Sequence, residues 1–380
     1  MTHNPLLDLQ ALGQSIWIDF IRRGMLASGE LQRLIDEDGV SGVTSNPSIF
    51  EKAIGESGDY DEAIRSLTLE RKTVGEIYRL LTVEDIQMVA DLLRPTYDRT
   101  DGQDGFVSLE VSPALAHDTA GSIEEARQLW SLVNRPNAMI KIPATREGIP
   151  AIQQLIGEGI NINITLLFGL PRYQEVANAY LTGLETLAGE KKNIHQVASV
   201  ASFFLSRIDV LLDPLLEKKA LAGDAQADIA GSLQGQVAIA SAKVAYQLYK
   251  EVFSSERFAK LVEKGARTQR LLWASTSTKN PKYSDTKYIE PLIGMDTINT
   301  LPVETLDAYR DHGQPQQSLE QDISKAYHVL NKLPLVGIDL DRATQQLEEE
   351  GVEKFVSALD RLMVSVQEKQ TAVASVESQK

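Results

Sequence analysis

Asn161-Ile162-Asn163-Ile164-Thr165-Leu166 alternates without a break. In an extended chain Asn161, Asn163 and Thr165 share one face, and Ile162, Ile164 and Leu166 share the other. The run is strand-like over Ile160–Leu167. It is followed by Pro171 near the start of a helical stretch that reaches about Ala188 and stops at Gly189. Working outward, the same unit of a short β-rich run and a longer amphipathic stretch recurs along the chain. The further candidate strands are Ser15–Asp19, Gly42–Thr44, Phe106–Val111, Ala138–Ile142, Gln196–Phe203, Leu271–Ser275 and Thr297–Leu301. Alternation of this kind builds a parallel sheet, and so many strands favour closure into a single (β/α)8 TIM barrel over an open doubly wound sheet.

One barrel is expected to span residues 1–366, with extra helices in the insertions Ser48–Asp104 and Ile208–Arg270. Ser122-Ile123-Glu124-Glu125 has the form of a capping box opening a helix towards Val133, and Gln234 to Val252 is alanine-rich and strongly helical. Near the end, Glu348, Glu349, Glu350 and Gly351 lead into an amphipathic helix over Val352–Val366, packed on the barrel. The polar residues 367–380 predict a disordered tail.

Bulk composition removes several function classes. Hydrophobic residues make up 43% of the 380, enough for a large core, and the net charge of −15 disfavours nucleic-acid binding. With no cysteine, there can be no disulfide, thiolate metal site, iron–sulfur cluster or cysteine nucleophile. The residues Met1 to Leu26 lack a basic segment followed by an apolar one, and Asp8 and Asp19 interrupt them. No membrane-spanning run occurs, so a cytoplasmic protein is expected. Asn163-Ile164-Thr165 has the form of a glycosylation acceptor but lies inside an apolar strand. The histidines at 3, 117, 195, 312 and 328 are scattered without ligand spacing, so no metal is expected, nor any other cofactor: there is no phosphate-binding glycine loop, dinucleotide fingerprint or serine elbow.

The polar strand faces carry the functional signal. Apolar sets such as Val107, Leu109 and Val111, or Ile140 and Ile142, suit burial under the outer helices. The opposing sets, Asn161 with Asn163 and Thr165, Ser108 with Glu110, Met139 with Lys141, and Trp17 with Asp19, then face the barrel interior near the carboxyl ends of the strands. Taken singly, most have ordinary explanations: Asp19 or Asn46 as a cap, Thr165 as β-propensity, Ser202 as a small packing residue. Glu110 and Lys141 form either a structural ion pair or a working pair, since charges inside a barrel are costly unless paired or used. Asp19, Asn46, Glu110, Lys141, Thr165 and Ser202 fall on successive strands near their carboxyl ends, and packing alone gives no reason for that convergence. A lysine attacks a carbonyl as the neutral amine, which burial favours, and neighbouring carboxylates such as Glu110 and Asp19 can move protons. This is a kit for imine chemistry on a ketone.

Two longer runs carry a resemblance. Lys141-Ile142-Pro143-Ala144-Thr145 and Gly42-Val43-Thr44-Ser45-Asn46-Pro47-Ser48 resemble, in order and spacing, the two signatures of the transaldolase family. Val107–Val111, Asn161–Phe168 and Ser202-Phe203-Phe204-Leu205-Ser206-Arg207 are similar to it as well. Trp273-Ala274-Ser275-Thr276 and the stretch to Pro302 resemble its longer bacterial branch, sometimes fused to glucose-6-phosphate isomerase, for which too little chain remains here. The resemblance covers about residues 6–366.

It implies a barrel of the class I aldolase type and sugar phosphates as small-molecule partners. Lys141 would form the imine, Asp19 would take the C4 hydroxyl proton, and Glu110 and Thr165 would hold a water. Asn46, Asn163 and Ser202 would grip the dihydroxyacetone hydroxyls, and Arg207 the phosphate. Shorter relatives carry Ala-Ser-Phe-Arg on the seventh strand, with the arginine on phosphate. Here Ala274-Ser275 keeps the serine as a substrate contact, and Thr276-Ser277-Thr278-Lys279 follows. Lys279 either replaces that arginine or is a solvated loop lysine. Beside dihydroxyacetone transfer in the non-oxidative pentose phosphate pathway stand two rivals: an aldolase that releases dihydroxyacetone to water, and a non-catalytic sugar-phosphate-binding barrel. No sequence feature specifies an oligomeric state.

Overall fold

The computed structural model describes residues 3–223 and 225–377. Eight strands, β1 (Gln14–Ile18), β2 (Val40–Val43), β3 (Phe106–Glu110), β4 (Ala138–Pro143), β5 (Ile162–Leu167), β6 (Ser199–Phe204), β7 (Arg270–Ala274) and β8 (Thr297–Leu301), form a closed barrel in chain order. All pairs are parallel, and the β8–β1 ladder, Gln14↔Thr297 to Ile18↔Leu301, closes it. Each expected run holds one strand, with ends shifted by a few residues. The β-branched outward set, including Ile16, Ile18, Val107, Ile140, Ile142, Ile162 and Ile164, is fully buried beneath the helices. Each such side chain contributes about 1.5–3 kcal/mol on leaving water. Inside, Trp17 fills the lower barrel and donates from Nε1 to Asp104 Oδ1 at 2.7 Å. Gly42 faces it, and a Cβ there would clash with the indole, 2.3 Å from Trp17 Cδ2 and Cε2.

The first insertion folds as Pro47–Phe50, a π-helical turn over Glu51–Gly55, and helices Asp61–Leu69 and Val74–Arg99. The second folds as Ser206–Leu221, Ala227–Leu233, Val237–Phe253 and Glu256–Val262. No helix among the described residues is long and apolar enough to cross a membrane.

Three expectations need correction. The Thr119–Val133 helix begins ahead of the expected capping box, because Asp118 caps it by accepting from Gly121 N at 3.0 Å. Ser122 lies within its first turn and donates to Leu115 O, while Glu125 accepts from Ser112 N. The C-terminal helix spans Leu340–Glu377, so Gly351 is interior rather than ahead of its start, and Gln367 to Glu377 is helical rather than disordered. Polar anchors hold these last turns: Lys369 Nζ donates to Ser57 O and Asp61 Oδ1, and Gln370 Nε2 to Lys72 O. Residues 378–380 of the expected tail lie outside the described residues. Asn161, thirdly, works at the opposite barrel end from Asn163, tying Pro136 O, Ala138 O and Ala198 N at the strand entrances.

Candidate active site

Three neighbouring strands set the centre of the site. The register Glu110↔Lys141↔Asn163, with Pro143↔Thr165 beyond it, puts side chains of equal pleat side by side inside the barrel. Lys141 Nζ donates to Ser45 O at 2.9 Å and lies 3.4 Å from Glu110 Oε2, with both side chains at most 5% exposed. That separation is an ion pair, yet among the described residues neither Glu110 oxygen accepts a well-formed hydrogen bond and the buried Thr165 Oγ1 has no partner. Polar atoms left in this way at a cavity floor are capacity for a substrate atom or a water. Burial pushes the Glu110 carboxyl up to about 7, a rise the nearby Lys141 ammonium partly offsets. Burial also raises Asp19, against the opposing pull of Lys141, the Thr44 hydrogen bond and Arg207.

Asp19 follows β1 directly. Its backbone N donates to Leu301 O, and Thr44 Oγ1 donates to Oδ1 at 2.6 Å while sharing a hydrogen bond with Thr300, so the carboxylate is fixed from two strands and caps no helix. Asn46 does cap: it accepts from Ile49 N at 3.1 Å, and it also lines the cavity. Ser202 Oγ donates to Asn163 Oδ1 at 2.7 Å, and Asn163 Nδ2 to Ser108 Oγ at 2.9 Å, a chain of hydrogen bonds across β6, β5 and β3. Between Ile164 and Leu167, around Thr165, the β5–β6 register shifts, and Leu166 takes a left-handed φ of 53°. A branched residue held there costs on the order of 1–3 kcal/mol and marks a bulge that aims the neighbouring side chain.

Above this floor opens a cavity of about 760 Å³, walled by Asp19, Asn46, Lys141, Ser202, Arg207, Ser275 and Lys279 among others. Glu110 and Asn163 are joined to this lining through Lys141 and Ser202, and Thr165 stands two residues beyond Asn163 on the same face of β5. Arg207, in the first turn of Ser206–Leu221, lies between the rings of Phe204 (5.2 Å) and Phe355 (5.7 Å). Ser275 also has a left-handed φ, 55°, and shares a hydrogen bond with Ser206 Oγ. Lys279 reaches the cavity wall but is itself exposed and donates to Ser277, which keeps features of both its readings.

Sequence reasoning missed several parts of the site. Thr44 and Ser45 stand inside a quoted motif, but the Asp19 bond and the carbonyl that holds Lys141 are tertiary contacts. Phe204 shares the face of Ser202 on β6, two residues on, and that period could have revealed it. Phe355 had no local signal, because it comes from the far end of the chain. Among the described residues no group of three or more His, Asp or Glu is placed to hold a metal ion.

Comparison with known proteins fits this geometry. The profile described as Transaldolase/Fructose-6-phosphate aldolase matches residues 16–366. The chain belongs to this family. "Transaldolase 2" of Nostoc punctiforme is 46% identical over 374 residues, 97% of this chain and 98% of that protein. "Transaldolase" of Thiobacillus denitrificans is 46% identical over 96% of this chain and 99% of its own, and that of Thermobifida fusca 46% over 95% and 96%. The sequence of this transaldolase/fructose-6-phosphate aldolase family member is thus matched across nearly the full length of these relatives.

Proposed function

We propose that the protein is a cytoplasmic transaldolase of the non-oxidative pentose phosphate pathway, moving a dihydroxyacetone unit from sedoheptulose 7-phosphate or fructose 6-phosphate to glyceraldehyde 3-phosphate or erythrose 4-phosphate. The observation that carries this reading is the buried Lys141 beside Glu110 and Thr165, whose buried oxygens accept or donate no hydrogen bond. The Lys141 amine adds to the C2 ketone, and loss of water leaves the imine. Asp19 takes the C4 hydroxyl proton as the C3–C4 bond breaks. The aldose phosphate leaves, and the bond pair moves into the enamine conjugated with Lys141. The acceptor aldehyde then takes this carbon, its oxygen regains the proton from Asp19, and water positioned by Glu110 and Thr165 hydrolyses the new imine. Asn46, Asn163, Ser202 and Ser275 hold hydroxyls, and Arg207 holds the phosphate.

Fructose 6-phosphate with and without erythrose 4-phosphate tests this. Transfer predicts sustained glyceraldehyde 3-phosphate release only with the acceptor. Sustained release without it, with free dihydroxyacetone, would mean an aldolase, and no release in either case a binding protein.

Three further results are expected. Arg207→Ala should raise KM for phosphorylated donors by an amount equivalent to about 2–3 kcal/mol, the loss of a charge-assisted contact in a partly desolvated site. Lys279→Ala should cost clearly less, because the lysine is exposed. Equal, negligible losses in steady-state kinetics would put the phosphate elsewhere. Secondly, activity should survive prolonged chelator treatment, whereas complete loss restored by zinc would mean a metal-dependent aldolase.

Thirdly, Glu110 titrates near 7 when folded against an ordinary value of 4.5. Its folded pKa is raised, so its contribution to stability is present below about pH 4.5 and lost as pH rises through about 7. Glu110→Gln should therefore gain stability relative to wild type between pH 5 and pH 8, measured by urea unfolding. A gain in the opposite direction would contradict the assignment.

A further inference from the structure

The Leu340–Glu377 helix runs unbroken through Gly351. Glycine in a helix interior costs about 1 kcal/mol relative to alanine, so a spatial reason is needed. The structure supplies one. A Cβ at this position would lie 2.8 Å from Leu166 Cδ2 and 3.4 Å from Arg207 Nη1, and Gly351 has no positive φ that would otherwise call for it. Leu166 is the left-handed bulge residue next to Thr165, so the bare glycine faces both the strand that aims Thr165 and the arginine at the cavity wall.

One helical turn later on the same face stands Phe355, buried at 3% exposure and forming part of the cavity wall. Its ring and that of Phe204 flank the Arg207 guanidinium, at 5.7 and 5.2 Å. Arg207 Nη1 is buried and has no hydrogen-bond partner among the described residues. Among the described residues no ion pair joins a carboxylate to this guanidinium, and Asp19, Glu110 and Glu350 are the acidic groups whose charge acts on it. The two rings and the glycine surface are the packing contacts on the guanidinium, while those three carboxylates act on it only through space.

We propose that Gly351 and Phe355 are positioning residues: the C-terminal helix, through a missing side chain and an aromatic ring, aims Arg207 and so fixes where the cavity accepts a phosphate. This rests on the reading of Arg207 as the phosphate residue. The helix therefore completes the donor site from the end of the chain, rather than serving only as a packing element on the barrel.

The test is borohydride trapping in the full chain, read as the half-saturating concentration of fructose 6-phosphate and, separately, of dihydroxyacetone, which has no phosphate. Phe355→Leu retains most of the buried volume and loses the ring. It should raise the half-saturating fructose 6-phosphate concentration about five- to tenfold, as expected for a desolvated cation–π contact, and leave the dihydroxyacetone value within about twofold. Phe355→Tyr should restore the fructose 6-phosphate value. Gly351→Ala should also raise the fructose 6-phosphate value, and because its Cβ meets Leu166 beside Thr165 as well, selectivity is read from Phe355→Leu alone.

A merely structural helix would show full retention with Leu, or equal losses for both ligands in that variant, and either result overturns the proposal. Arg207→Ala is run alongside. If it leaves fructose 6-phosphate unchanged, the phosphate reading of Arg207 fails. If it raises that value while Phe355→Leu and Gly351→Ala do not, the positioning inference fails alone.

Discussion

Lys141→Met removes transfer activity by at least about four orders of magnitude, the scale on which loss of a covalent nucleophile is felt. Methionine fills much of the same buried channel between β3 and β5, so the variant should fold, with near-wild-type circular dichroism. It loses the one amine within reach of both Glu110, at 3.4 Å, and the cavity floor. Neither the Ser45 carbonyl nor Glu110 can form an imine in its place. Single-turnover assays with fructose 6-phosphate measure the loss. Residual turnover above about a hundredth of wild type would mean that another group forms the covalent bond.

Asp19→Asn should lower kcat by about 10²–10⁴-fold, the usual contribution of a positioned general base. The amide oxygen can still accept from Thr44 Oγ1, which bonds Asp19 at 2.6 Å, so the local structure should persist. Imine formation on Lys141 does not need this proton transfer, whereas cleavage of C3–C4 does. The variant should therefore accumulate the intact six-carbon imine, and borohydride should trap a hexose phosphate adduct where wild type yields the three-carbon one. A three-carbon adduct formed at the wild-type rate would remove Asp19 from the cleavage step.

Much of this site was legible because a strand writes its two faces directly into the sequence. The alternation of Asn163 and Thr165 with Ile162 and Ile164 requires only the period of a pleat, and Glu110 and Lys141 stand out because charge is costly within a barrel. Register then carried them into contact through Glu110↔Lys141↔Asn163. The same period misjudged Asn161, since alternation gives a face but not a height along the barrel, and its amide serves the strand entrances instead.

Contacts between distant segments were not legible. The Ser45 carbonyl that holds Lys141 is a backbone group, Phe355 meets Arg207 from a distant part of the chain, and Gly351 reads locally as a helix boundary. Its actual role depends on Leu166 and Arg207 lying opposite. The last turns of the C-terminal helix look disordered by composition, because hydrogen bonds from Lys369 and Gln370 to the first insertion, rather than apolar burial, hold them.

The central claim, a covalent sugar intermediate on a barrel lysine, is tested most directly by borohydride reduction in the presence of fructose 6-phosphate, followed by proteolysis and mass spectrometry. The account predicts a reduced three-carbon adduct on the peptide containing Lys141 and on no other. An adduct on a different lysine with Lys141 unmodified, or turnover that borohydride leaves untouched, would contradict it.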